Sequence, residues 1–362
     1  MRFSSFSLRQ TLQVGACLMF CVASVAAIPA LEQTVGAAQT FDGRASFLSA
    51  QDKDQVKLSG GESKAAEKID KAADPAAKLK AAEEFLKKYP KSQIRAQIAE
   101  HVAARINGVS DPAQKLSLTE NFLNIFTEAS EADIITPVVI DAYLALGRTD
   151  DALELGARYL EKRPNDIFIL TQLALQGTIK TQSGDSKYLA RSKQYGAKAI
   201  EMLEGNQKPA SLDEAQWKAY KESWLPRLYQ ALGVLAMLGG DQTEALNKLQ
   251  QADKLNPGDP GTIWMIGGIK NDEYQKTARE YKAMPASPAQ NELLKKANAQ
   301  IDEVIEIYAR VVALTAGNPQ YKQMHDQALS DLQSYYKYRH EGKTDGMQQL
   351  IDKHKVAPSK PQ

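Results

Sequence analysis

From about Ser63 to His354 the apolar residues recur at intervals of three and four, as at Ile169, Leu170, Leu173, Leu175 and Ile179. That spacing puts them on one face of an α-helix. Sustained two-residue alternation is almost absent, and no Asn-Gly or Asp-Gly pair joins two β-branched runs. The pattern therefore predicts helices and no sheet. Asp74-Pro75 and Asp111-Pro112 each place a capping carboxylate before a proline in the first turn, where the missing N–H costs nothing. Ser211 with Glu214, and Asp241 with Glu244, have capping-box spacing. Pro90, Pro164 and Pro257 each close a run of helix formers. The breaks between helices are short, so consecutive helices should lie antiparallel.

One stretch carries more than a period. Between Tyr229 and Pro257, small residues fall at Gly233, Ala236, Gly240, Ala245 and Ala252, with large apolar residues between them. Small residues on facing helices let two backbones approach closely. Tyr229, Leu232 and Leu249 would fill the space around the contact, Gly240 would turn the chain, and Pro257 would end the second helix. Tyr143, Gly147, Ala152 and Pro164 repeat the spacing 93 residues upstream, with Gly156 and Tyr159 in the intervening positions. An ordinary helical bundle also has Gly and Ala at crossings. The joint match of six or seven positions in one window, with a second copy upstream, favours a repeat.

The stretch closely resembles the tetratricopeptide repeat, a helix–turn–helix unit with a period of about 34 residues. One departure is Ala236, where the family has tyrosine. The resemblance implies an all-α fold, a right-handed superhelical solenoid of antiparallel helix pairs, over residues 62–340. About six pairs and a C-terminal cap are expected. The spacing between the two copies leaves room for one irregular repeat, with surplus residues near Gly184 and Gln207 and a further insertion near Met284. By resemblance, a groove lined by first helices would hold a protein, an extended peptide or a partner helix. Its inward positions would be Asp141, Leu144, Thr171, Leu175, Gln230, Val234, Met237, Trp264 and Asn271. Trp264 is the candidate anchor, because buried aromatics dominate binding energy at interfaces; its alternative place is the repeat core. The family's clamp for a C-terminal carboxylate is not expected, since Gln230, Val234 and Met237 do not reproduce its Lys and Asn set. Solenoids of this kind also pair through edge helices, so a homodimer is a further expectation.

The first 27 residues read as an export signal. Arg2 and Arg9 precede an apolar run from Leu12 to Ala27, and Val25-Ala26-Ala27 supplies a cleavage site. A bacterial periplasm is the expected destination. Cys17 follows a sequence loosely resembling the lipoprotein cleavage box, but it precedes most of the apolar run, so lipidation is not expected. Cleavage would remove Cys17 and Cys21, the two cysteines of the chain. Disulfides, thiolate nucleophiles and Cys-ligated zinc would leave with them, and no membrane span would remain. Residues 28–61 read as a flexible lead, and 341–362 as a helix end and loose tail.

Composition adds exclusions. Of 362 residues, 43% are hydrophobic and 25% charged, with 45 Lys+Arg against 44 Asp+Glu. This balance suits a folded protein and gives no electrostatic reason to expect nucleic acid. The four histidines show no metal-binding spacing, and no nucleophile elbow, phosphate loop or dinucleotide fingerprint is present. No cofactor, metal or catalytic residue is expected. One alternative is of a different class. Lys221 to Pro226, "KESWLP", superficially resembles the start of the catalytic motif of lytic transglycosylases, which would make Glu222 the acid. The Gly-Leu-Met-Gln element expected downstream is missing. Tyr335 to His340, "YYKYRH", mixes aromatics and cations in a way that can bind glycans or single-stranded nucleic acid. A capping helix with an apolar stripe and snorkelling cations has the same composition.

Overall fold

The computed structural model describes residues 58–355. The expected signal segment, almost all of the lead and the end of the tail lie outside the described residues. Among the described residues there are fourteen α-helices, two 3-10 turns and no strand. In order they are α1 (Gly60–Lys71), α2 (Pro75–Lys88), α3 (Arg95–Asn107), α4 (Pro112–Ile125), α5 (Ala129–Ala145), α6 (Thr149–Lys162) and α7 (Ile167–Gln182). They continue with α8 (Leu189–Glu204), α9 (Glu214–Leu238), α10 (Gln242–Leu255), α11 (Pro260–Ala283), α12 (Pro288–Thr315), α13 (Lys322–Arg339) and α14 (Met347–Lys353). The all-α expectation holds, as six helix pairs followed by α13 and α14.

The helix starts form where the sequence predicts, with one shift and one half-made box, since Asp241 N–H donates to the Ala236 carbonyl and the Glu244 carboxylate pairs with Lys193. Asp74, Asp111 and Asp241 accept hydrogen bonds from the N–H groups of Ala77, Gln114 and Glu244 at 2.8, 2.6 and 2.9 Å. Ser211 and Glu214 do not make the capping box expected of them. Two residues later, Asp213 accepts from Gln216 N–H at 2.8 Å and Gln216 Oε1 accepts from Asp213 N–H at 3.0 Å. Leu212 is buried and Lys208 Nζ donates to its carbonyl, so the chain is still turning inward at Leu212 and the helix begins after it.

The second helices of the pairs share a register that the sequence reading did not use. α2, α4, α6 and α10 each have 14 residues, with N-caps at Asp74, Asp111, Arg148 and Asp241. The first three N-caps are 37 residues apart. Their C-cap N–H groups, from Tyr89, Phe126 and Arg163, donate to Phe85, Phe122 and Tyr159 carbonyls, the same offset each time. The match extends to the side chains: Leu79, Leu116 and Leu153 at one position, then Phe85, Phe122 and Tyr159 at another. Leu79, Phe85, Leu153, Phe122 and Tyr159 are buried, because the same face of each helix meets the core.

The chain divides into two compact units, and the division falls within α7, α8 and α9. The described part of the first unit is 58–176 with 201–221. Its interior gathers Ala66, Ile69, Phe85, Ile98, Val102, Phe122, Phe126 and Ile135. Phe122 and Phe126 stack at 4.4 Å. Arg95 on α3 makes a two-pronged ion pair with buried Glu131 on α5, at 2.5 and 2.9 Å. Glu131 also accepts from Glu128 N–H at 2.9 Å, which closes a capping box at the start of α5. The Glu131 carboxylate, hydrogen-bonded to it, holds the Arg95 guanidinium charged and above its ordinary range. The loop near Gln207 is tied down: Trp217 Nε1 and Lys221 Nζ both donate to Asn206 Oδ1, at 2.8 and 2.9 Å.

The described part of the second unit is 177–200 with 222–355. One cluster joins Val234, Ala236, Ala245, Leu249, Met265, Ile266 and Ile269. Another joins Trp264, Ile301, Val304, Tyr308, Val312, Met324, Leu332 and Tyr336. The close approach expected at Gly233 is present. A Cβ built there would lie 2.7 Å from Leu249 Cγ and 3.4 Å from the Ala245 carbonyl oxygen. Gly240 turns the chain in the left-handed region, φ +82°, where only glycine is unstrained. Residues around Met284, expected as an insertion, prolong two helices instead, 24 residues in α11 and 28 in α12. Gln290 Nε2 closes their tip by donating to the carbonyls of Tyr281 and Met284 at 3.3 and 2.7 Å.

Candidate partner-binding surface

The nine expected groove residues all stand on first helices of pairs. In the first unit, Asp141 and Leu144 are on α5, and Thr171 and Leu175 on α7. In the second unit, Gln230, Val234 and Met237 are on α9, and Trp264 and Asn271 on α11. Burial sorts them. Thr171, Leu175, Gln230, Val234, Trp264 and Asn271 are buried, while Asp141, Leu144 and Met237 retain exposed surface.

The buried polar members have a common task. Thr171 Oγ1 on α7 shares a hydrogen bond with the Tyr220 hydroxyl on α9 at 2.7 Å. Gln230 on α9 donates to Asp259 Oδ2 at 2.7 Å and to Thr262 Oγ1 on α11 at 2.9 Å. Asn271 Oδ1 on α11 accepts from the Tyr335 hydroxyl on α13 at 2.8 Å. Each residue therefore joins one first helix to the next. The position that the repeat pattern marks as facing inward is the position that meets the next repeat. A buried polar group is stable only with its partner, and these partners come from the neighbouring pair.

Trp264 belongs to the core alternative and not to an open anchor site. It is 5% exposed and tilts against Tyr308 at 5.5 Å between centroids. A Cβ on Gly267, one helical turn along, would lie 2.8 Å from the same Tyr308 ring, so the small residue makes room for the aromatic pair. Asp141 keeps its carboxylate near the surface and pairs with Lys115 Nζ at 2.8 Å. Leu144 and Met237 are the apolar members of the set that a partner could reach.

The other candidates are also placed. Glu222 is on the exposed side of α9; a general acid needs a sheltered carboxyl. Tyr335 and Tyr336 point inward, Tyr336 stacking on His340 at 4.0 Å, while Tyr338 is exposed. The aromatic run is thus mainly the apolar stripe of α13. Burial pushes the Tyr335 phenol up to about 12. His325 Nδ1 shares a hydrogen bond with Thr315 Oγ1 at 3.0 Å, and His354 Nε2 with Glu306 at 3.0 Å. Among the described residues no group of three His, Cys, Asp or Glu side chains is arranged to hold a metal ion, and no helix is long and apolar enough to cross a membrane. An open groove of about 630 Å³ between α1 and α2 is lined by Lys64, Lys68, Lys71 and Lys80 with Glu67 and Glu84. Lys68 pairs with Glu84 and Lys71 with Glu67, all well exposed, which is a solvated face.

No family model and no curated protein sequence matches the chain. Solved structures do. Ten of their chains match, among them the crystal structure of the MamA protein, 18% identical, with a TM-score of 0.30, covering 64% of this chain and 100% of that one.

Proposed function

We propose that this chain is a non-enzymatic protein-interaction scaffold of the cell envelope, of the tetratricopeptide type, which takes an extended peptide or a partner helix against the exposed parts of its first helices. The observation that carries the reading is the shared register of the second helices. Asp74, Asp111 and Arg148 open helices of equal length at equal spacing, and each pair buries its apolar face against neighbours. A stack of this kind presents the same helix repeatedly to a partner, which suits binding along a line. Export to a periplasm rests on Arg2, Arg9 and the apolar run from Leu12 to Ala27. The reachable residues are Asp141 and Leu144 in the first unit and, separately, Met237 in the second. Asp141 could exchange its lysine for a partner's cation, with Leu144 packing beside it, and Met237 offers an apolar contact within its own unit.

The test is affinity capture of the tagged full chain from its native envelope fraction, beside a triple variant, Asp141→Ala, Leu144→Ala and Met237→Ala. Circular dichroism would first establish equal helicity. A protein retained by the wild type and lost from the variant supports the reading. A protein retained by both moves the site away from these residues. A complex containing this chain alone means self-assembly. Peptidoglycan cleavage that vanishes in Glu222→Gln would replace the scaffold reading with an enzyme.

A further inference from the structure

Lys78 and His101 are the unusual members of the first unit's interior, 5% and 6% exposed. Lys78 holds the fourth position of α2, where α6 and α10 have Ala152 and Ala245. Its ammonium donates to the Ile69 and Asp70 carbonyls at 2.9 and 2.6 Å. Those carbonyls end α1, so a buried cation sits at the negative end of that helix, where it is favoured. His101, on α3, holds a place that 37 residues later is the apolar Val138. Its Nε2 lies 3.9 Å from Asp70 Oδ1. The charged groups acting on the imidazole are Lys78 from α2, Arg105 from α3 and Asp70 from α1. Two cations thus surround it against one carboxylate.

The first helix has few other attachments. Its buried side chains are Ala66 and Ile69. Its Glu62 accepts from Ser92, and its Lys68 pairs with Glu84 on the surface, a kind of contact that contributes little. We propose that Asp70, Lys78 and His101 form an acid-released latch, in which protonating His101 frees α1 from α2 and α3 while the rest of the first unit stays folded. A third positive charge in this cluster repels Lys78, and Lys78 is the group that grips the end of α1. Release uncovers the end of the apolar cluster that Ala66 and Ile69 close. Burial first, then Lys78 and Arg105, pull the imidazole down to about 4 in the closed form. An exposed imidazole protonates near 6.5, so acid favours the open form over that interval. Above about pH 6.5 the latch is shut, and it loosens progressively as the pH falls toward 4.

Hydrogen exchange read by mass spectrometry on the full chain tests this, with protection expressed relative to the intrinsic rate at each pH. Residues 60–71 should lose protection between pH 6.5 and 4 while α2 to α6 keep theirs. His101→Gln cannot take the proton and should move the loss down by about one pH unit or more. Asp70→Asn removes the offsetting carboxylate and should move it up. The two variants shift in opposite directions, so a general weakening of the fold cannot imitate both. Protection of α1 that falls together with α2 to α6 overturns the proposal. So does an unchanged midpoint in His101→Gln, or an α1 already unprotected at neutral pH.

Discussion

The Tyr335 hydroxyl donates to Asn271 Oδ1 at 2.8 Å and accepts from Gln275 Nε2 at 3.2 Å, so one side chain of α13 is stitched to two positions of α11. Asn271 is 5% exposed, and Tyr335 also stacks on Tyr308 at 6.3 Å and meets Tyr274 edge-on at 5.9 Å. The packing would survive loss of the hydroxyl, but the amide would not keep its partner. Tyr335→Phe should therefore cost about 1–3 kcal/mol, the penalty of a buried unpaired acceptor. Asn271→Leu in the same background should recover part of that loss. Urea denaturation of the two single variants and the double variant measures the coupling. Additive effects would mean that the hydrogen bond contributes nothing to the seam.

A larger effect is expected where a charge is involved. Glu131 is buried, and its two oxygens take Arg95 and the Glu128 N–H together. Glu131→Ala leaves the guanidinium, which is only 17% exposed, with the exposed Glu128 carboxylate at 3.2 Å as its other partner, and removes half of a capping box. Breaking a buried pair from one side costs about 3–5 kcal/mol, and the contact to Glu128 sets the loss toward the lower end. Replacing both members, as Arg95→Met with Glu131→Leu, should give back most of it. The midpoint of chemical unfolding reads both.

These two sites show what the sequence could and could not reveal. Helix starts at Asp74, Asp111 and Asp241 were legible, because a carboxylate before a helical run has few other uses. The Gly233 and Ala245 contact was legible too, since spacing alone identifies it. The 37-residue register was legible but missed: "DPAAKL" at Asp74 and "DPAQKL" at Asp111 stand one repeat apart, each followed by "FL". The glycine-centred pattern at Gly233 does not lead to it, because these two helices have lysine, Lys78 and Lys115, at the small position. The seams were not legible. Periodicity tells which face of a helix points inward, but Thr171, Gln230 and Asn271 are covered by residues 49, 32 and 64 positions away. Whether an inward position faces a partner or the next repeat depends on that neighbour. Glu131 was hidden for the same reason, as its arginine is 36 residues distant.

Gly233 offers a steric prediction with opposing terms. Alanine in a helix is favoured over glycine by about 0.5–1 kcal/mol. Here its Cβ would meet Leu249 Cγ at 2.7 Å, with Leu249 Cδ2 at 2.9 Å. Leu249 is fully buried and cannot swing into solvent, and overpacking of this kind costs about 1–3 kcal/mol. Strain should win, so Gly233→Ala lowers the melting temperature. Adding Leu249→Ala opens the space, and the penalty of Gly233→Ala should then vanish or reverse. An equal penalty in both backgrounds would mean that the backbones do not approach as described.

The buried phenols predict the alkaline limit of the fold. Burial pushes Tyr335 up to about 12, and also raises Tyr159, Tyr220 and Tyr274. Tyr159 donates to Asp166 at 2.9 Å, and a neighbouring carboxylate also opposes a phenolate. In the unfolded chain these groups lose their protons near pH 10. Between that pH and their folded values, the folded chain binds more protons than the unfolded one. Stability is therefore complete below about pH 10 and falls as the pH rises through the interval, each phenol adding up to about 1.4 kcal/mol per pH unit to the slope. Thermal melts from pH 8 to 11.5 should show a melting temperature flat at first and then falling. Tyr335→Phe, though less stable at neutral pH, should show a shallower fall. The difference in tyrosinate absorbance between the wild type and Tyr335→Phe isolates this phenol from the other tyrosines of the chain, and it should appear together with the loss of helicity. A difference that precedes unfolding would mean that Tyr335 ionises within the native fold, against the burial described for it.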